Sequence, residues 1–543
     1  MRSLTLNFYI MKKLFIRLAA VVSSAALLVG CGSGFGSSYT NAVSNQSIAV
    51  AEFNAYQVLQ KSGMYDELIT TAKAALAAEE VPAYAIALLD DLRNTGVDVQ
   101  APMYAYAYNV DNNNIYFGVV AKTYDVEKLN ALIAFIEKSE GETLDKVQLD
   151  GCTLVDLDRN VALGYNETAV VFGAIERLDY YGKRSRVDVK ECISEALKNT
   201  VSGNTCDKLP SFAGSDVACR VDASPLLDFM KAVAQVDSND EVAAVIASLE
   251  SARDAKLNIA GNFVDGSVDC KLEWSGLPKA AYKAPTCSND NLEYVSKDAW
   301  VVANFPFPGE SVVEAINEAL KDKTMREAID AAAAEASGGM FNAKSAMAFV
   351  GPLVSSINGD ITVALNDLSN IDSRTPNIDA VAVVPVKDES IMSLASGAIA
   401  SIPGASSVGE NIYQVYADGL VAYIGQKDNL LFASVPTALG EKSQPATKAN
   451  WYSDVKGSYG YFVLNAASIF ACSEIRSEIA DECSRDELFY VNRFIDLFDY
   501  VVLSMPSVES VSYRVVLKND NENALKQMVD SIKPLIVKEM MDL

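Results

Sequence analysis

The sequence predicts an α+β protein made of two tandem related halves, each an antiparallel sheet system backed by helices. Three observations predict it. Alternating apolar runs are joined by tight-turn residues, which forces antiparallel pairing. Helical patterns fall between those runs, so helices can cover a sheet face. The order of elements then recurs at a spacing of about 250 residues. At 543 residues with 50% hydrophobic and 21% charged side chains, the chain is long and apolar enough for more than one folded core.

The first 30 residues read as a lipoprotein signal peptide. Lys12, Lys13 and Arg17 precede an apolar stretch from Leu18 to Val29 that is too short to span a bilayer and ends at Leu28-Val29-Gly30-Cys31. A cysteine directly after small residues matches the lipobox, with diacylation of the Cys31 thiol and cleavage before it. Residues Met1 to Ile10 fit no part of that scheme, which places the translation start at Met11. Residues 31–47 are small and polar and read as a flexible tether.

The first half is read as 48–285 and the second as 295–543. Ser47 to Gly63 and Ala299 to Leu320 each give a short strand followed by a helix, and Ala-rich helical patterns follow both. The strand PMYAYAYNV in the first half answers to Gly359-Asp-Ile-Thr-Val-Ala-Leu in the second. IYFGVVAKTYD (Ile115 to Asp125) answers to IDAVAVVPVKD (Ile378 to Asp388), each leading into a helix. A three-strand meander closes each module, with turns at Asp158-Arg-Asn and Asp418-Gly. A smaller strand–helix–hairpin module then recurs, with Asp222 and Asn465 placed as helix N-caps and one hairpin turning at Asp265-Gly266. Linkers are read at Ser275 to Lys297 and Ser434 to Asn450.

Several motifs together resemble a family of large, uncharacterised envelope lipoproteins of Bacteroidetes. They are the lipobox, an opening strand ending in a Lys-Ser-Gly turn (Lys61-Ser62-Gly63), and Gly96-Val97-Asp98 before the strand of Tyr104, Tyr106 and Tyr108. The resemblance implies a lipid-anchored envelope location and brings no activity with it. The second half lacks the Lys-Ser-Gly turn and the tyrosines.

Composition removes whole classes of chemistry. The chain has no histidine, so Ser-His-Asp and Cys-His catalysis, HExxH zinc sites and histidine switches are excluded. Its 71 acids against 45 bases give a net charge of −26, made more negative still by loss of the leader's four cations, and this disfavours nucleic acid. The eight cysteines after Cys31 lie in an exported chain, and Cys192, Cys206, Cys219, Cys270, Cys472 and Cys483 are the candidates for disulfides. Asp156, Asp158, Asn160 and Glu167 have the spacing of a calcium loop, but Val161 stands where that loop needs glycine, so a hairpin is expected. Ser453 and Lys456 match Ser-x-x-Lys without its companion motifs. Tyr104, Tyr106 and Tyr108 leave one face of a strand and would either stack on a ligand or lie beneath helices, and burial is the reading adopted.

The expectation is therefore a non-enzymatic binding or assembly protein without cofactor, lipid-anchored in the outer membrane and facing the periplasm, with the cell surface as the other location. Its contact surface is expected to span the two halves, and its acidity to draw a basic protein or peptide. The alternative is a glycan hydrolase built on two carboxylates.

Overall fold

The structure, a computed structural model, describes residues 38–542 apart from internal stretches of which 74–87, 178–186 and 238–245 are the longest. Cys31 and the signal segment lie outside the described residues. The fold is α+β, with antiparallel strands throughout. Two compact units form: one takes residues up to Pro278 together with Asp520–Lys533, the other Lys279–Asn519 together with Pro534–Leu543.

The first unit is a ten-stranded sheet: β1 (Ala49–Phe53), β2 (Met103–Asp111), β3 (Asn114–Lys122), β4 (Lys146–Leu149), β5 (Cys152–Asp158), β6 (Val161–Tyr165), β7 (Ala169–Arg177), β8 (Val217–Asp222), β9 (Lys256–Val264) and β10 (Ser267–Ser275). Its spatial order is β10-β9-β8-β1-β2-β3-β7-β6-β5-β4. The second unit contains β11 (Val301–Pro308), β12 (Asn358–Ser369), β13 (Asn377–Pro385), β14 (Ala405–Gly409), β15 (Ile412–Ala417), β16 (Leu420–Lys427), β17 (Leu430–Val435), β18 (Tyr461–Leu464), β19 (Phe498–Ser507) and β20 (Ser510–Leu517). Its order, β20-β19-β18-β11-β12-β13-β17-β16-β15-β14, repeats that of the first unit strand for strand.

The first unit's main core lies between one sheet face and the helix Val189–Ser202. Ile193 and Leu197 of that helix are fully buried against Leu154 and Val171 of the sheet. Two glycines make the packing possible. A Cβ at Gly164 would stand 2.4 Å from Ile193 Cγ2, and one at Gly173 would stand 2.5 Å from the Tyr116 hydroxyl, so only a bare backbone fits under these side chains. The helix Val126–Glu140 covers the other face at β5–β7 with Leu129 and Ile133. Asp125 caps it, accepting from the amides of Glu127 and Lys128.

The Gly96-Val97-Asp98 step has a local cause. Gly96 has φ 85°, and its carbonyl accepts the amides of Tyr124 and Asp125, leading the chain into that helix. A Cβ there would lie 2.5 Å from the Leu129 nitrogen. Gly63 ends the helix Ala55–Ser62 in the left-handed region at φ 69°, which explains the Lys-Ser-Gly turn.

Four expectations need correction. Residues 38–47 are not tether: Tyr39, Ala42, Val43 and Ser47 are buried, and the Tyr39 hydroxyl donates to the Pro102 carbonyl at 2.9 Å. Small uncharged residues suit a tight layer as well as a loose one. The half boundaries also shift, because Asp520–Lys533 returns to the first unit. There Asn523 bridges Asp265, and its Nδ2 donates to the Phe263 carbonyl at 2.8 Å. The segments read as linkers are structural in the second unit. Cys287, Leu292 and Val295 are buried beside Ala446 and Trp451, and Lys297 donates to the Gln444 carbonyl. Finally, Asn465 caps its helix by accepting from Ser468, whereas the Asp222 carboxylate is taken by cations.

Candidate interaction surface

Each sheet alternates as a half-buried strand should, yet the face turned from its core is also apolar. In the second unit Val302, Val463 and Val502 are buried on the core side. Their neighbours form a row across six strands in register: Ala382, Val363, Ala303, Phe462, Leu503 and Tyr513. Val363 is 48% exposed, Phe462 41%, Leu503 42% and Tyr513 42%. Phe305 pairs with Ile361 on one side of this row, and Val301 pairs with Leu464 on the other. No charged or hydrogen-bonding group occurs in the row except the Tyr513 hydroxyl.

The first unit has the equivalent row, Val119, Ala105, Ala51, Cys219, Ile259 and Leu272. Val119 and Ile259 are exposed, as are Phe53 and Phe117 on the same side. Phe53 and Phe305 stand at the same place in their sheets, each closing a Val-Ala-acid-or-amide-Phe run. Apolar patches of this extent are uncommon on a monomer and mark places where something binds.

The candidates singled out in the sequence lie elsewhere. Tyr104 and Tyr106 are buried on the core face of β2, with Tyr108 partly buried beside them. Tyr106 and Tyr108 stack at 6.2 Å, and Tyr108 meets Tyr116 at 5.1 Å. Burial pushes all three phenols well above the usual tyrosine range. Gly118 leaves room for Tyr106, whose Cζ would lie 2.5 Å from any Cβ there. The stripe is packing, with no ring offered to a ligand.

No disulfide forms among the described residues. Cys219 and Cys270 are not sheet neighbours, because β9 runs between their strands and they pair with its Ile259 and Gly261. Two strand spacings and the two-residue offset along β9 then hold them roughly 12 Å apart, beyond disulfide reach. Cys472 and Cys483 flank the ten-residue helix Ser473–Glu482, which separates them by about 15 Å. Cys192 lies beside Tyr108, whereas the Cys206 sulfur accepts the Lys208 amide at 3.4 Å.

Buried carboxylates are held rather than presented to a cleft. Asp216 is 0% exposed and accepts Lys61 Nζ through both oxygens at 2.7 Å, and the Phe263 amide at 2.6 Å. Burial raises the Asp222 carboxyl, but Arg220 and Lys208 outweigh it and hold the group below its ordinary range. Burial raises Glu52, which the Gly214 amide and Tyr104 only partly counter. In the second unit Asp360 accepts the Asn289 amide at 2.7 Å and Asn304 Nδ2 at 3.2 Å. Beside it, burial pushes the Cys287 thiol up to about 12.

Asp156 to Val161 form the β5–β6 hairpin, and Asp156 pairs with Lys190 at 2.8 Å instead of joining a calcium loop. Ser453 lies in the short helix Tyr452–Val455, and Lys456 closes it. A small open depression is lined by Tyr294, Ser434, Asp379 and Lys442, the last two an ion pair at 2.8 Å. Among the described residues no group of three acids or cysteines converges as a metal site, and no helix is long and apolar enough to cross a membrane. Sequence reading missed the open sheet face. Its signal was the run of apolar residues at both alternating positions, as in Tyr461-Phe-Val-Leu, which marks a strand apolar on both sides.

Comparison with known proteins gives a family but no activity. No curated protein matches the chain. Among solved structures it is similar to TP0453 in crystal form III, at 9% identity and TM-score 0.23, covering 45% of this chain and 81% of that one. Crystal form IV of TP0453 gives 8% identity and TM-score 0.22, covering 43% and 79%. The model of a domain of unknown function, DUF4836, matches residues 39–525, and the chain belongs to that family.

Proposed function

We propose that this protein is a non-enzymatic binding or assembly module of the bacterial cell envelope, anchored by lipid at Cys31 and working through its open sheet faces. The observation that carries the reading is the uncharged apolar row that runs across six strands and is exposed at Val363, Phe462, Leu503 and Tyr513, with a row at matching positions in the first unit exposed at Val119 and Ile259. A surface without charged side chains, whose polar groups are the Tyr513 hydroxyl and the Cys219 thiol, is better suited to holding an apolar partner surface than to turning over a substrate. The shared strand order supports descent of both units from one duplicated unit.

The paired state of Asp216 and Asp222 and the hydrogen-bonded state of Asp360 favour binding over the carboxylate-based glycan hydrolase. The lipobox and the resemblance to Bacteroidetes envelope lipoproteins support an outer-membrane location facing the periplasm. The acidity supports a basic partner, recruited faster at low salt. Two tests apply. Cys31→Ala should release the protein from membranes, and equal retention would refute the anchor. Phe462→Asp in the full chain should abolish recovery of envelope partners, whereas glycan turnover by the purified protein would replace this reading with the hydrolase.

A further inference from the structure

We infer that the open face of the second unit, the surface on which the proposed function rests, is covered by the same face of a second copy of this chain, sheet against sheet. Two observations choose that occupant. The first is area. Six strands spaced by about 4.8 Å, with three rows of side chains on β11, β12, β13, β19 and β20 and two on the shorter β18, give a face roughly 29 Å by 20 Å, or about 600 Å². Two copies packed face to face would remove roughly 1,200 Å², at the lower end of what a specific stable interface needs.

The second is charge. The chain carries −26 overall, so two copies repel wherever their general surfaces approach. The row from Ala382 to Tyr513 contains no charge, so this face is a place where two acidic molecules can meet without opposing carboxylates at the contact. Phe462, Leu503 and Tyr513 lie side by side on β18, β19 and β20, giving two exposed aromatic rings of the kind that carry most of the energy in such contacts. The first unit's equivalent row has Cys219, Ile259 and Leu272 at those places, with no aromatic ring. Packed sheets stand about 10 Å apart, which leaves room for these side chains to interdigitate.

Sedimentation velocity of the full-length chain carrying Cys31→Ser, over a range of concentrations and at low and high salt, tests this. A dimer that forms more readily as salt rises is expected, because screening removes the repulsion and leaves the apolar contact. Phe462→Asp should weaken it at least tenfold with an unchanged circular dichroism spectrum, and the milder Phe462→Gln should weaken it if the aspartate variant does not fold. A monomer at every concentration, or a dimer indifferent to these variants, overturns the second-copy inference. If the chain is monomeric yet Phe462→Asp still abolishes recovery of envelope partners, the interaction-surface reading stands without it. If the variant changes neither, both fail.

Discussion

Removing the cation beside Asp216 isolates one structural cause in the first unit. Asp216 immediately precedes β8 with 0% side-chain exposure, and both its oxygens accept Lys61 Nζ at 2.7 Å. In Lys61→Met one oxygen loses its protein partner and the other keeps only the Phe263 amide. Stranding a buried carboxylate costs about 3 to 5 kcal/mol when both partners are buried. Lys61 is 29% exposed, so water can reach part of the gap, and a loss of about 2 to 3 kcal/mol is expected. The assay is urea unfolding together with hydrogen exchange at β9, where the Phe263 amide reports directly on Asp216. Protection of that amide should fall, and the double variant Lys61→Met/Asp216→Asn should lose less than the sum of its singles. A Lys61→Met protein within about 0.5 kcal/mol of the parent, the range of an ordinary surface change, would refute the argument.

Other outcomes follow from the same geometry. Glu52→Gln should raise the thermal midpoint at pH 7. Burial raises the folded carboxyl, so its stability contribution is fully present below the unfolded value of about 4.3 and is lost as pH rises through the folded value; the advantage of Gln should therefore vanish in acid melts. Asp222→Asn should destabilise near neutral pH and matter less in acid, because the carboxyl is lowered and its contribution is lost as pH falls through the folded value; equal losses at pH 7 and pH 2 would contradict this. Gly96→Ala should cost about 2 kcal/mol or more, combining φ 85° with a Cβ 2.5 Å from the Leu129 nitrogen, and a melt indistinguishable from the parent would count against the close approach. Alkylation in denaturant without reductant should modify all eight cysteines from Cys152 to Cys483, and a mass short by two or more adducts would reveal a disulfide.

What the sequence by itself determined is local and repetitive. Period-two alternation and turn residues such as Asp265-Gly266, with Gly266 at φ 71°, identify strands and hairpins because both depend on neighbours in the chain. Alternation also places Tyr104, Tyr106 and Tyr108 on one side, and the missing histidines exclude chemistry under any fold. Tertiary structure decided what lies between and opposite these elements. Nothing local says that β9 separates Cys219 from Cys270, that Asp222 meets Lys208 before it can cap a helix, or that Asn523 closes the β9–β10 turn from 260 residues away. The same holds for the open sheet face. A strand apolar on both sides reads identically whether its second face is covered or bare, because covering depends on where distant helices pack. Only the exposure of Val363, Phe462, Leu503 and Tyr513 distinguishes the two.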